Sequence, residues 1–495
     1  MLRILGSPRR LCDGLTRREL LLAGGLGLFA AGLEGTAVAA TGTRQIGDSR
    51  RFGQAKNVIL LYLFGGPSHV EMFDMKPQAP AEVRGELKPI RSRLPGCDVC
   101  ECLPNVAKVM DRVTVLRSLS HVTNFHGMQF ATTGLPQGSV PIEETQRHSE
   151  HQPFIGSVLD YLSHQKHGPK PRGAVPDNIV LPWLLSSRRP QEMYARPHAS
   201  FLGPMYEPLW GDFRGKATRN VDRWTFGPRA NYHDPHLGIT PDSRFEIASG
   251  TELADGLTLD RLHRRRSLLE QFDQARKTLD ESVAVRGMDR QRELAFSLVN
   301  STKIRTALDL DREPDRVRQA YGLTLFGQGV LQARRLVEAG CRFVTVIWDE
   351  FGQLNSGWDT HVDHFNRLRN ELLPGFDLAF SALLDELEQR GLLDETLVLV
   401  LSEMGRTPRL SREGRDHWEF AYTNLMAGGG VARGQVVGKT DRIGARVIER
   451  PLSAKDVLAT AYFALGIDPQ TVLPDRLNRP VPLVPYGDVI REALA

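Results

Sequence analysis

Four short apolar runs, each followed by a polar loop, predict strands that are buried inside the protein. They span residues 58–64, 113–116, 343–347 and 396–401. Their hydrophobic residues follow one another without the strict alternation of a half-exposed strand. A continuously apolar run of this length is typical of a strand that is covered on both faces, as in a parallel sheet.

Two longer segments show the helical period and end at a glycine. Residues 325–339 precede Gly340, and residues 365–390 precede Gly391, as expected where helices end in a left-handed cap. Because such helices alternate with the apolar runs, the pattern predicts an α/β fold. We expect a mostly parallel central sheet with helices on both faces.

The remaining segments suggest how the chain is organised. Residues 56–495 are predicted to form a single domain, and residues 41–55 a linker. Within the domain, residues 136–257 contain many Pro, Gly and aromatic residues and are predicted to be a loop-rich insertion. Residues 258–310 have helical periodicity and are predicted to form a basic helical segment.

The N-terminus predicts export. Arg17 and Arg18 precede an apolar, Gly-rich run over residues 20–33, and residues 37–39 offer a small-x-small cleavage site. That run is about 14 residues long, short of the roughly 20 that a spanning helix needs. Residues 1–40 are therefore predicted to be a twin-arginine signal peptide, and the protein to be periplasmic or otherwise extracytoplasmic. No stable membrane span is expected after its removal.

Composition restricts the class of partner. The chain has 495 residues, 41% of them hydrophobic and 25% charged, and its formal net charge is only +4. This is the composition of a globular protein without a basic field, so nucleic acid is not an expected partner. Cys97, Cys100 and Cys102 lie close together without a fourth metal ligand nearby, so a local disulfide and small buried thiols are both open interpretations.

Polar groups able to bind a metal or an anion follow each of the four predicted strands. The carboxyl ends of parallel strands share one edge of a sheet, where ligands bind in open α/β folds. Mixed imidazole and carboxylate ligands favour zinc, manganese or iron over calcium. The candidates, in chain order, are Ser68, His69, Glu71, Asp74; Ser120, His121, Thr123, Asn124, His126; Asp359, His361; Glu403, Arg406, Asp416 and His417.

Six motifs lie between Gly65 and Asp468, within a stretch from Lys56 to the C-terminus: GGPSHVEMFDMKPQAPAEVRGELKPI, LPNVAKVMDRVTVLRSLSH, SGWDTH, RGLLDETLVLVLSEMGRTP, GRDHW and RPLSAKDVLATAYFALGID. Together they resemble a bacterial family catalogued as domain of unknown function 1501, often labelled sulfatase-like, in the alkaline phosphatase superfamily. The resemblance implies an alkaline phosphatase-like fold. It also implies metals at the carboxyl edge of the sheet and an anionic ester as substrate.

The resemblance implies a set of metal ligands. Asp359 and His361 resemble an Asp-plus-His metal loop, and His417 resembles a late metal histidine. Glu403 occupies the place of a metal-binding carboxylate and is expected to be a further ligand or the general base; capping a helix or pairing with a nearby arginine is the alternative. Asp74 or Glu71 is a stand-in for an acidic pair that this chain replaces with Gly65 and Gly66.

The resemblance leaves the catalytic groups less defined. A TTGLP segment resembles one that follows the sulfatase nucleophile, but counting back reaches Asn124, so Thr123 or His126 would have to substitute. His126 or His121 is also a candidate general acid, since imidazole titrates near neutral pH. Arg406 or Arg117 could hold an anion bidentately.

Three classes of function follow from this pattern. The first is a metal-dependent hydrolase of sulfate or phosphate esters. The second is an inactive binding protein, for acidic glycans for instance, that retains the fold. The third is a partner protein for another exported enzyme, with residues 136–257 as its contact surface.

Overall fold

The computed structural model describes residues 51–135, 139–167, 175–189, 194–225, 228–247 and 301–495. All of them belong to one compact unit, Arg50–Ala495. The predicted signal peptide and most of the predicted helical segment 258–310 lie outside the described residues. In the described part of the chain, no helix is both long enough and apolar enough to cross a membrane.

A nine-stranded sheet forms the centre of this unit. Its spatial order is β9-β2-β8-β7-β1-β6-β3-β4-β5 when the strands are numbered along the chain. The strands are β1 (Asn57–Leu63), β2 (Val113–Leu119), β3 (Asn178–Leu181), β4 (Leu209–Arg214), β5 (Arg244–Ile247), β6 (Phe343–Trp348), β7 (Thr396–Leu401), β8 (Tyr422–Ala427) and β9 (Gln435–Val437).

The predicted mostly parallel sheet is confirmed. β1 lies between β7 and β6 and pairs in parallel with both, and β3 and β4 continue the parallel series. β8 is antiparallel to both β7 and β2, so β2 runs in the same direction as β7. The carboxyl ends of β1, β2, β6 and β7 therefore meet at one edge, and the loops with the candidate ligands start there.

Helices cover both faces of the sheet. Along β1, Ile59, Leu61 and Leu63 pack in the core beneath α2 and α3, while Leu60 and Tyr62 pack in the core beneath α1 and α4. Burial on both faces explains why these strands are continuously apolar. The four longest helices are α1 (Ile155–His167), α2 (Leu325–Glu338), α3 (Leu373–Gln389) and α4 (Ala454–Ala464).

Shorter elements complete the described chain. The short α-helices are Ala81–Arg84, Val106–Val109, Gln129–Thr133, Val140–Glu143, Thr302–Leu308, Asp315–Ala320 and His364–Arg367. Two-stranded ladders pair Pro89–Ile90 with Val99–Cys100, Asn220–Arg223 with Ala230–His233, Gly405–Arg406 with His417–Trp418, Lys439–Thr440 with Val447–Glu449, and Val472–Pro474 with Pro480–Pro482.

The second predicted helix is interrupted. Residues 365–390 form the end of the helix His364–Arg367, a π-helical turn over Leu368–Leu372, and then α3. Pro374 lies in the first turn of α3. Because proline has no amide hydrogen, it cannot make the regular bond to the preceding turn, and the helix widens there.

Residues 136–257, predicted to be a loop-rich insertion, also contain regular elements. Their described part supplies α1 and three strands of the central sheet, β3, β4 and β5. These strands are only four to six residues long, and the Pro and Gly residues between them hide the pattern. The described cysteines are free thiols, and Cys97 and Cys100 are buried.

Candidate metal centre

Three imidazoles from three loops surround the carboxylate of Asp359. Nε2 of His126 lies 3.3 Å from Oδ2 of Asp359. Nε2 of His361 and Nε2 of His417 lie 3.0 and 3.1 Å from Oδ1, and these two nitrogens are 3.1 Å apart. We call these four residues the histidine–aspartate cluster. It brings together the loops that follow β2, β6 and β7.

The other nitrogen of each imidazole has an oxygen acceptor. Carboxylate and carbonyl oxygens accept hydrogen bonds, so each Nδ1 carries the proton and each Nε2 has a free lone pair in the neutral ring. This is how metal-binding histidines are usually oriented. The three pairs are His126 with Oε1 of Glu403 at 2.9 Å, His361 with Oδ1 of Asp416 at 2.8 Å, and His417 with the carbonyl of Asn124 at 2.7 Å.

Glycine after β1 lets these loops approach one another. Gly65 has φ of 114°, and a Cβ atom there would lie 2.4 Å from the backbone nitrogen of Asp359. Its amide also donates to Oε1 of Glu403 at 2.7 Å. A side chain at this position would therefore push Asp359 out of the cluster.

A buried arginine holds the carboxylate in place. The Arg406 guanidinium contacts Asp359 and the carbonyl of Gly65, and it also donates to the carbonyls of Gly66 at 2.9 Å and Arg415 at 3.1 Å. Burial opposes ionisation of Asp359, but Arg406 and His126 outweigh it and hold the pKa of this carboxyl well below its usual range. Asp359 is therefore ionised, as a carboxylate that binds a metal must be.

The imidazoles differ in charge. Burial disfavours the charged form of His126, but Asp359 and Glu403 outweigh it and raise the pKa of His126 to about 10. Burial and the nearby charge of His126 lower the pKa of His417 to about 4. A cation between these rings would take the place of the His126 proton.

The cluster fits a single divalent metal ion. One ligand atom each from His126, Asp359 and His417 lies within 4.8 Å of the others, and Nε2 of His126 is buried without a hydrogen-bond partner. Metal bonds of about 2.0–2.2 Å separate neighbouring tetrahedral ligands by roughly 3.3–3.6 Å, close to the spacings here. Nitrogen and oxygen donors together suit zinc, manganese or iron. The described residues offer one such group.

Two of the predicted ligands lie outside the cluster. Asp74 pairs with Lys76 at 2.9 Å and with Nε of Arg117 at 3.2 Å, and it accepts a bond from the Thr440 hydroxyl. These partners neutralise its charge, so the structure does not support Asp74 as a ligand. Glu403 is buried and contacts Nδ1 of His126. It therefore orients a candidate ligand, and its own role as a ligand stays a prediction.

The predicted anion-binding arginines are already engaged. Arg406 is 0% exposed, and each of its three nitrogens donates to the protein. Arg117 donates to the carbonyl of Phe73 at 2.9 Å and pairs with Asp74. All three nitrogens of Arg406 therefore have protein acceptors, whereas Nε of Arg117 is paired only through its contact with Asp74. In this structure Arg406 holds Asp359, and its role as a substrate-binding group stays a prediction.

The predicted catalytic residues of the β2 loop differ in position. His126, which sequence analysis proposed as acid or nucleophile, lies in the histidine–aspartate cluster, and its catalytic role stays a prediction. The Thr123 hydroxyl is buried without a hydrogen-bond partner, and its role as nucleophile stays a prediction. Sequence analysis did not assign roles to Asn124 and Asp416 as acceptors for imidazoles, because a supporting contact leaves no spacing pattern.

Comparisons with known proteins give a family and weak structural likenesses. The model of the family described as "Protein of unknown function (DUF1501)" matches residues 55–494. No curated protein matches the sequence.

Three solved structures are similar to this chain, and in each case the similarity covers 73% of the solved chain. Ps i-CgsB in complex with k-i-k-neocarrahexaose has 12% identity over 84% of this chain, with a TM-score of 0.38. PsFucS1 sulfatase from Pseudoalteromonas sp. has 12% identity over 93% of it, with a TM-score of 0.35. BT33494S-sulf from Bacteroides thetaiotaomicron has 12% identity over 83%, with a TM-score of 0.34. Likenesses this weak carry no argument about the site.

Proposed function

The chain belongs to the DUF1501 family, and from its histidine–aspartate cluster we propose that it is a metal-dependent hydrolase of sulfate or phosphate esters. The observation that carries this proposal is the orientation of the three imidazoles. Each Nδ1 has an acceptor, and each Nε2 points to the same carboxylate. With each Nδ1 held by an acceptor, a metal that replaces the His126 proton could bind all three Nε2 atoms at one point.

The residues in and around the cluster would have different roles. A bound divalent metal would polarise an ester oxygen or lower the pKa of a water molecule. Asp359 supplies the negative charge, and Arg406 fixes its direction. Glu403 and Asp416 orient His126 and His361. The half-buried rings of His361 and His417 border solvent, so an ester would enter from their side.

Metal content and ester turnover test this proposal together. His417→Ala and His126→Ala should each lose most of the bound metal and lower turnover of an aryl sulfate or aryl phosphate by at least about a hundredfold. His233→Ala is the matched control, because His233 is exposed at the end of a small ladder. If all three variants keep wild-type metal content and turnover, the site is wrong.

A non-catalytic binding protein is the second candidate. The observation in its favour is that Arg406 already contacts Asp359, which reduces the charge available to a metal. Such a protein would bind metal and an anionic glycan without hydrolysing it. Protein that carries metal but turns over neither aryl sulfate nor aryl phosphate would favour this candidate.

We also propose that the protein is exported by the twin-arginine route to an extracytoplasmic location. The support is Arg17, Arg18 and the short apolar run after them. That route carries folded proteins, so a metal could be inserted before export. A contact with another exported protein stays a further proposal.

A further inference from the structure

A fifth strand end reaches the edge of the sheet where the cluster lies. β3 pairs in parallel with β6, so the chain after β3 leaves the sheet beside the loop that follows β6. Two bonds fix it there: the Ser186 amide donates to Asp349 at 2.9 Å, and the Gly352 amide donates to the carbonyl of Arg188 at 2.8 Å. The next residue is Arg189.

Arg189 is buried close to the metal ligands. Its side chain is 0% exposed, and its Nη1 lies 2.8 Å from Oε2 of Glu350. The guanidinium carbon lies 4.2 Å from the ring centroid of Tyr194. The Tyr194 ring centroid is 5.5 Å from that of His126. Tyr194 therefore contacts both the guanidinium and a predicted metal ligand.

The guanidinium has donors without acceptors. None of the three nitrogens of Arg189 makes a hydrogen bond of good geometry, although Nη1 pairs with Glu350 and the guanidinium also interacts with the Tyr194 hydroxyl. Arg406, by contrast, is equally buried and donates from all three nitrogens. Buried polar groups in proteins are almost always paired, so donors left unmet beside a ligand site call for an acceptor. The planar guanidinium, with its forked N–H donors, is suited to binding a tetrahedral oxyanion.

We propose that Arg189 binds the anionic group of the substrate next to the metal, and that this group is a sulfate or phosphate oxyanion. The inference rests on the proposed function and gives it a specificity-determining residue. Glu350 neutralises Arg189 when no anion is bound. It also limits the affinity, because its carboxylate repels the same anion. Arg189 thereby takes the role that sequence analysis gave to Arg406 or Arg117.

Calorimetric titration of the metal-loaded protein tests this proposal, with inorganic sulfate and inorganic phosphate as separate ligands. Wild type should bind at least one of them, and the tighter one identifies the ester class. Arg189→Gln should weaken that binding at least about tenfold, since a charge-assisted bidentate contact is lost. Arg189→Lys keeps the positive charge but lacks the forked N–H donors. Its anion affinity should lie between those of wild type and Arg189→Gln. Metal content should stay at the wild-type level in both variants.

Two further variants sharpen the test. Arg188→Gln is the matched control and should bind anions as wild type does, because Arg188 is 42% exposed and pairs with Asp212. Glu350→Gln removes the repelling charge and should bind at least as tightly as wild type. If Arg189→Gln fails to fold, Arg189→Lys carries the comparison.

Distinct outcomes overturn the inference and the proposed function. Arg189→Gln that binds anions like wild type, or wild type that binds neither anion, would overturn the inference. Loss of metal in both Arg189 variants would also overturn it, because Arg189 would then support the cluster. Anion binding that depends on Arg189 in a protein without ester turnover would overturn the hydrolase and leave the inference intact.

Discussion

Replacing Glu403 with glutamine should weaken metal binding without unfolding the protein. Oε1 of Glu403 accepts from the Gly65 amide at 2.7 Å and lies 2.9 Å from Nδ1 of His126. A glutamine carbonyl can accept both bonds, and its amide group can donate to the Ser402 hydroxyl, which lies 3.2 Å from Oε2. The shape of the site is kept, and only the negative charge behind His126 is lost.

The expected loss of affinity is about 10–100-fold, the usual effect of removing a supporting contact to a metal ligand. This corresponds to about 1.4–2.8 kcal/mol of binding free energy. Competition with a chromophoric chelator measures the affinity, and thermal unfolding of the metal-free protein measures stability. Glu403→Ala should lower both, because the buried donors of His126 and Gly65 then lack an acceptor, at about 1–3 kcal/mol each.

Asp416→Asn provides the comparison that can refute this reasoning. Asp416 supports His361 as Glu403 supports His126, but its side chain is 55% exposed, whereas that of Glu403 is 4% exposed. Water screens the exposed charge, so Asp416→Asn should change metal affinity by less than about threefold. Equal losses in the two variants would show that burial of the supporting carboxylate does not set its effect.

Three other predictions concern stability and export. Burial opposes ionisation of Glu71, but Arg415 and His364 outweigh it and lower its pKa to about 2 from the usual 4.5. Its ionised form therefore adds roughly 3 kcal/mol of stability above pH 4.5, and this stability is lost as the pH falls towards 2. Between pH 6 and pH 3, the unfolding temperature should therefore fall less steeply for Glu71→Gln than for wild type. Leu399→Ala, in the fully buried centre of β7, should cost about 2–5 kcal/mol in chemical unfolding, whereas Leu477→Ala, at a 72% exposed site, should cost less than about 0.5 kcal/mol. Lysine at positions 17 and 18 should leave the precursor in the cytoplasm, whereas in wild type the mature chain should begin near Ala40; cell fractionation that finds the double variant exported would contradict the signal.

The local pattern of the sequence determined the class of fold. Continuous apolar runs identified β1, β2, β6 and β7, because strands buried on both faces need side chains of one kind. Their common direction then placed the polar loops at one edge. The family resemblance, and not the pattern itself, implied Asp359, His361 and His417 as ligands. In the structure, Oδ1 of Asp359 and Nε2 of the two histidines lie within 3.1 Å of one another.

Only the tertiary structure decided what each polar side chain does. His126 and Glu403 are 277 residues apart in sequence, so no spacing could show that one supports the other. The guanidinium of Arg406 is a chemical group that often binds anions. In the folded chain, however, its nitrogens donate to the carbonyls of Gly65, Gly66 and Arg415. Short strands such as β3 and β4 are stabilised by pairing with their neighbours, and Pro and Gly hide them in the sequence. Periodicity is a local property, whereas burial, charge and hydrogen bonding at a site depend on segments that meet only when the chain folds.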